Sequence, residues 1–226
     1  MDAGSGTHRA LRDWDLRVSD DPTSAAAAWI AERLRDAVAE RGTTTLAVSG
    51  GSTAPPLFDA LVGHDVPWDA VQVWQVDERV VPDGHPERNA EQLGVLPATV
   101  HRMPVTAPDL VAGAADYART LPDRFDLVHL GLGDDGHTAS WPPGDERPIV
   151  SRRLVEVVAD LHGFARMTLT AGVVNDARCR VMLTLGASKA ALMARWAGDD
   201  HGIPVGHVQR AGTVAFVDPA AAPWQS

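Results

Sequence analysis

Thr44-Thr-Leu-Ala-Val48 runs into Ser49-Gly-Gly-Ser-Thr53 and then into Ala54-Pro-Pro-Leu-Phe-Asp-Ala-Leu-Val62. The first five residues are β-branched or apolar, which predicts a buried strand. Two glycines end it, and a helix is expected over Pro55 to Val62. Strand, glycine turn and helix form a unit of an α/β fold. Upstream, a strand is expected around Trp14 to Val18, followed by Asp21-Pro22 as an N-cap with proline in the first turn. The helix after it carries Ile30, Leu34, Ala37 and Val38 on one face and stops at Gly42.

Downstream the alternation continues. Strands are expected at Val71 to Val76, Phe125 to Leu132, Leu154 to Val158, Met167 to Thr170, Arg180 to Leu185 and Val214 to Val217. Helices are expected at Asp109 to Leu121 and Ala187 to Trp196, and Asp218 caps a short final helix. The pattern predicts a single α/β domain over residues 1–226, with a mostly parallel, Rossmann-like sheet and helices on both faces. The loop-like run Trp141 to Ser151, with Pro142, Pro143, Gly144 and Pro148, reads as a lid or a connection to a small subdomain.

Composition narrows the function. Hydrophobic residues make up 45% of the 226, enough for a core, and seven tryptophans against one tyrosine argue against disorder. Twenty basic and thirty acidic residues give a net charge of −10, the wrong sign for coating nucleic acid or an anionic membrane. A local cationic cluster can still hold a small anion. Lysine occurs once, at Lys189. The lone Cys179 has no partner for a disulfide or a thiolate metal site, which favours a reducing compartment. Met1 to Asp13 is polar, without the apolar stretch of a signal peptide, and no run is long enough to span a bilayer. A soluble, cytoplasmic protein is expected.

Ligands of open α/β sheets sit beyond the carboxyl ends of the strands, and three loaded segments fall there. Gly50, Gly51, Ser52 and Thr53 offer successive N–H groups, hydroxyls and a helix N-terminus, as a phosphate requires. The G-K-[ST] ending of a nucleotide loop is missing, and a plain glycine turn with a serine-threonine cap fits the pattern equally well. Asp77-Glu78-Arg79 follows a strand, with Asn89 beyond it; a carboxylate there can orient or act as a base, and a guanidinium can hold phosphate. For the triplet alone, a solvated charged turn is the simpler reading.

The third segment is Leu130-Gly-Leu-Gly-Asp-Asp-Gly-His-Thr-Ala-Ser140. Gly131, Gly133 and Gly136 match G-x-G-x-x-G, but Trp141-Pro-Pro-Gly144 follows where a dinucleotide site needs a helix. A dinucleotide is therefore not expected. His137, with Asp134 and Asp135 close by, suits general acid–base work or the capping of a turn. Ser140 lacks the setting of a nucleophile elbow. Arg166 and Gly186-Ala-Ser-Lys189, the latter opening a helix, add cations. With no H-E-x-x-H and no cysteine pair, no metal is expected, and His201 and His207 read as loop residues.

In this order the segments resemble the 6-phosphogluconolactonases: Ser-Gly-Gly-Ser-Thr at 49–53, Asp-Glu-Arg at 77–79, Asn89, and Leu-Gly-Leu-Gly-Asp-Asp-Gly-His-Thr-Ala-Ser at 130–140. The series continues with Arg166-Met-Thr-Leu-Thr, Gly186-Ala-Ser-Lys189 and Asp218 with its alanines. The resemblance implies a fold shared with glucosamine-6-phosphate deaminases and ribose-5-phosphate isomerases. It also implies hydrolysis of 6-phosphogluconolactone in the oxidative pentose phosphate pathway, without metal or organic cofactor, by a monomer or small homo-oligomer. His137 would be the general base and Asp77 would help orient the site. Gly50, Gly51, Ser52, Thr53, Arg79, Arg166 and Lys189 would bind phosphate and the developing oxyanion. Two departures bear on the pocket: Trp141-Pro142-Pro143-Gly144 where the family has leucine, phenylalanine, proline and glycine, and Arg88 where serine is common.

Two alternatives carry less support. A deaminase reads D-E-Y where this chain has Asp77-Glu78-Arg79, and has a catalytic glutamate where this chain has Pro142. A sugar-phosphate sensor would carry a DNA-binding helix-turn-helix, for which the roughly 45 residues before the first glycine loop leave one strand and one helix.

Overall fold

The computed structural model describes residues 15–222, so the polar N-terminal run and Trp14, the expected start of the first strand, lie outside it. In chain order the elements begin with β1 (Asp15–Val18), α1 (Pro22–Arg41), β2 (Thr44–Val48), α2 (Ala54–Val62), β3 (Val71–Gln75) and β4 (Asp77–Arg79). Next come α3 (Asn89–Gln92), β5 (Thr99–His101), α4 (Leu110–Ala118), β6 (Leu127–Leu130), α5 (Arg147–Val150), β7 (Val155–Leu161) and β8 (Phe164–Leu169). The series closes with α6 (Ala171–Asp176), β9 (Cys179–Thr184), α7 (Ala190–Ala197) and β10 (Thr213–Val217).

Seven strands form one sheet in the order β1-β10-β9-β6-β2-β3-β5, every neighbouring pair parallel. Successive side chains of a strand point to opposite faces, and this divides the core in two. Leu46 and Val48 of β2 join Ile30 and Leu34 of α1 and Phe58 of α2 on one face. Ala47 and Val128 join Tyr117 of α4, Val174 of α6 and Trp196 of α7 on the other. Helices thus cover both faces, as predicted. The first long helix has the expected ends: the Asp21 carboxylate accepts from Ser24 N at 3.0 Å, and Gly42 at φ 79° closes the helix onto the Val38 carbonyl.

The structure corrects the reading in several places. The predicted strands Leu154 to Val158 and Met167 to Thr170 do not enter the parallel sheet. They are β7 and β8, an antiparallel hairpin that pairs with β4 to make a second sheet in the order β4-β8-β7. The strand Val71 to Val76 does not end in a charged turn, because Asp77–Arg79 itself pairs with β8, Asp77 opposite Thr168 and Arg79 opposite Arg166. Short β5 lies at the edge of the main sheet, at a position the sequence pattern did not mark. The helix expected from Ala187 opens as a 3-10 turn, Ala187–Lys189, and becomes α7 only at Ala190.

Candidate active site

At the carboxyl end of β2, Gly50 leaves no room for a side chain and Gly51 takes a backbone conformation that disfavours one. A Cβ on Gly50 would lie 2.4 Å from the Asn89 side chain, and Gly51 has φ 108°. Asn89 is held in turn by its Nδ2 donating to the Asp77 carbonyl at 3.0 Å. Thr53, at the N-cap of α2, makes no side-chain capping bond, so the turn is not the capped turn of the simpler reading. Gly51 N donates to Gln92 Oε1 at 3.1 Å. The N–H groups of Ser52 and Thr53 donate to no group among the described residues.

Glu78 organises the second segment. Its buried carboxylate accepts from Arg79 N (2.7 Å) and Asn89 N (2.8 Å) on Oε1, and from Gln75 Nε2 (2.7 Å) and Ala90 N (2.8 Å) on Oε2. The neighbouring residues therefore diverge. Asp77 Oδ2 accepts from Ser140 Oγ at 2.6 Å and lies 4.0 Å from Arg166 Nη1. Arg79 Nη1 reaches the Glu87 carbonyl at 2.6 Å and its carboxylate at 3.0 Å.

Because β4 and β8 pair in register, two guanidinium groups stand side by side, each 5.8 Å from the Phe164 ring centre. The Nε of Arg79 and the Nε of Arg166 are both buried with no hydrogen-bond partner. Burial lowers the Arg166 pKa from the usual arginine value, and Asp77 opposes that shift. A buried Arg166 beside a half-buried Arg79, each with an unmet Nε donor, favours an anion at this place.

His137 comes from the glycine-rich turn after β6. Gly133 N donates to the His137 carbonyl at 2.8 Å, and a Cβ on Gly133 would fall 2.0 Å from His137 Nδ1, so the ring packs where a side chain would be. Asp135 Oδ1 accepts from His137 N at 3.0 Å and sits 2.5 Å from His137 Nδ1. Burial raises the Asp135 pKa, but the hydrogen bonds from His137 outweigh it and leave the carboxyl below its ordinary value. In the neutral tautomer in which Nδ1 donates to this carboxylate, Nε2 carries the lone pair, the state required of a base. Ala139 follows at φ 50°, a left-handed turn that separates the outward His137 from the buried Ser140.

Lys189 Nζ and Ser188 Oγ meet Asp134 Oδ1 at 2.6 and 2.9 Å. Asp134 is 79% exposed, so water or a stronger anion can replace it. Asp218 does more than cap the final turn: both its oxygens accept from Gly186 N, fixing the φ 94° turn that precedes Lys189.

One cavity of about 700 Å³ brings together all nine predicted residues: Asp77, His137, Gly50, Gly51, Ser52, Thr53, Arg79, Arg166 and Lys189. Neither departure lines it. Trp141 is buried and donates from Nε1 to the Leu169 carbonyl at 2.8 Å. Arg88 turns inward, its Nη1 on the Val81 carbonyl at 2.9 Å and its Nε 3.3 Å from Glu78 Oε2, off the hydrogen-bond direction. The sequence reading did not single out His162, in the β7–β8 turn, which lines the same cavity and places Nε2 3.0 Å from Asp135 Oδ2. A histidine-glycine pair between two strands marks a hairpin, but nothing local tells which turn it meets.

Fold and site together define a doubly wound α/β protein with a cavity, lined by Arg79, Arg166 and Lys189, beyond the carboxyl ends of its parallel strands. The chain belongs to the family of glucosamine-6-phosphate isomerases and 6-phosphogluconolactonases, which it matches over residues 18–216. A 6-phosphogluconolactonase of Synechocystis is 38% identical over 178 residues, 71% of this chain and 74% of the relative. One from Nostoc is 32% identical over 214 residues, 85% and 89% of the two chains. In structure, the chain is similar to a crystallised 6-phosphogluconolactonase of Shewanella baltica, with TM-score 0.84 and 27% identity, covering 91% of this chain and 97% of that one.

Proposed function

We propose that this chain hydrolyses 6-phosphogluconolactone to 6-phosphogluconate, the reaction of the oxidative pentose phosphate pathway. The observation that carries this reading is a shared cavity: an imidazole tied through Nδ1 to Asp135 opens into the same space as Arg79, Arg166 and Lys189. Cations at one end hold the phosphate and fix where the lactone carbonyl lies. His137 Nε2 takes a proton from water, and the hydroxide adds to the carbonyl carbon. As the tetrahedral intermediate collapses, the ring C–O bond breaks. The departing alkoxide takes the proton from His137 Nε2, returning the base to its starting state, and the new carboxylic acid gives up its proton to water. An ester this activated needs one base and electrostatic stabilisation, and no covalent nucleophile. Ser140 accords with that, being buried and donating to Asp77.

Asp77 orients the site through Ser140 and Arg166, and the turn Gly50 to Thr53 adds phosphate donors. The chain acts as one catalytic unit, a monomer or small homo-oligomer, without metal or organic cofactor. Among the described residues no helix is long and apolar enough to cross a membrane. A cytoplasmic setting without nucleic-acid partners accords with one cysteine and a net charge of −10.

The test is lactone hydrolysis followed by proton release, with the uncatalysed opening as blank, for wild type, His137→Ala and Lys189→Ala. Hydrolysis above the blank is expected, reduced in both variants. A wild-type rate equal to the blank overturns the enzymatic reading. A fully active His137→Ala removes only the role of that base.

A further inference from the structure

Asp135 serves two imidazoles. Its Oδ1 lies 2.5 Å from His137 Nδ1 and its Oδ2 lies 3.0 Å from His162 Nε2. The rings stand edge to face with centres 5.1 Å apart. The three ligand atoms lie within 4.8 Å of one another, the only such histidine, cysteine or carboxylate cluster among the described residues. His162 is brought there by the tight turn His162-Gly163, with φ 55° and 82°, so two distant stretches of chain supply the donors.

Two imidazoles and one carboxylate form a nitrogen and oxygen donor set suited to zinc and similar divalent cations. Zinc ligands at 2.0–2.1 Å stand about 3.3 Å apart in a tetrahedral shell. With one atom offered by each residue the three lie within 4.8 Å of one another, so the widest separation closes by no more than about 1.5 Å while the 2.5 and 3.0 Å contacts open slightly. All three side chains reach solvent, His162 most of all, which leaves a path for the cation and a place for water as fourth ligand.

We propose that Asp135, His137 and His162 form a regulatory site for zinc or a cation like it, and that occupancy switches off the base. The reason is tautomeric. A neutral imidazole carries one proton. In the tautomer in which Nδ1 donates to Asp135, that proton sits on Nδ1 and Nε2 is free to accept another. A cation on Nδ1 requires that nitrogen's lone pair, so its proton leaves and Nε2 takes one up; no net proton is gained or lost. His137 then presents N–H where the reaction needs a lone pair. The cation inhibits without entering the phosphate end of the cavity. The metal site stands on the cluster alone; its inhibitory effect rests on the role proposed for His137.

The test uses the full chain, zinc chloride and two readouts independent of turnover. In calorimetry, wild type is expected to bind one equivalent that His162→Ala binds at least about tenfold more weakly, since losing a direct ligand costs no less than losing a residue that supports one. In long-range proton–nitrogen NMR, His137 Nε2 is expected to change from unprotonated to protonated as zinc is added. Hydrolysis is then compared as the ratio of rates with and without zinc within each variant, so that changes in basal rate cancel. A falling ratio in wild type, reversed by a chelator, with a flat ratio in His162→Ala, supports the switch. Equal zinc affinity in the two proteins overturns the site. A zinc-bound His137 whose Nε2 stays unprotonated overturns the tautomeric mechanism. Absence of lactone hydrolysis counts against the proposed function alone, because binding and tautomer are still measured.

Discussion

Gly133→Ala tests the base without replacing it. The backbone at Gly133 is not in the left-handed region, so alanine is tolerated there; what the new methyl group meets is the His137 ring, at 2.0 Å from Nδ1 and 2.1 Å from Cε1. Ordinary contact begins near 3.4 Å, so the ring has to retreat by about 1.4 Å. The 2.5 Å contact with Asp135 does not survive such a shift, because Asp135 is itself held by His137 N and by His162. General-base catalysis contributes about 10²–10⁴-fold, or roughly 3–5 kcal/mol of barrier. Gly133→Ala should therefore lower kcat by about 10²-fold or more, with KM little changed because the cations stay in place. Stability should change by less than about 1 kcal/mol, since a partly exposed ring can swing toward water. The assay is initial-rate lactone hydrolysis with thermal unfolding alongside. The sharper measurement is the double variant: on a His137→Ala background, Gly133→Ala should have no further effect. A kcat within threefold of wild type, or losses that multiply in the double variant, would refute the reasoning.

Other consequences follow from the buried polar groups. Arg79→Ala removes one of two paired guanidinium groups and should raise KM by roughly 10- to 100-fold, the worth of one charge-assisted hydrogen bond, with a smaller effect on kcat; a kcat loss with unchanged KM would place Arg79 elsewhere in the reaction. Glu78→Gln keeps the shape but turns an NH2 toward donors now facing a carboxylate, and should cost about 2–4 kcal/mol in chemical denaturation. His129 is fully buried, with neither ring nitrogen bonded, and burial pushes its pKa down to about 4. The unfolded chain binds that proton near pH 6.5 and the folded chain does not, so stability is lost as pH falls from about 6.5 to 4, by up to roughly 3 kcal/mol. In His129→Leu that part of the acid limb should flatten; an unchanged slope across the window would mean that His129 is not the group responsible.

The elements that sequence reading located are those whose cause is local. Thr44–Val48 is a strand because its residues suit a two-sided core, and Gly42, Gly51 and Gly136 occupy left-handed turns that few other residues accept. His137 and Lys189 were legible because their turns lie beyond parallel strands, where an α/β sheet presents its ligands, whereas Arg79 and Arg166 stand on β4 and β8 of the second sheet. The hairpin was legible as two strands but not as a second sheet, since alternation within a strand says nothing about its partner. Glu78 resembled a solvated charge, and only its four buried donors reveal it as an anchor.

Sequence alone determined the alternating strands and helices, the tight glycine turns and the chemical inventory of the site. Tertiary structure decided which of those groups meet. It set Arg79 beside Arg166 across β4 and β8, 87 positions apart in number but opposite in register. It carried Ser140 to Asp77 and brought His162 to the carboxylate that orients His137. The reason is physical: backbone conformation follows from a few neighbouring residues, whereas contacts between turns follow from how two sheets pack to bury their faces.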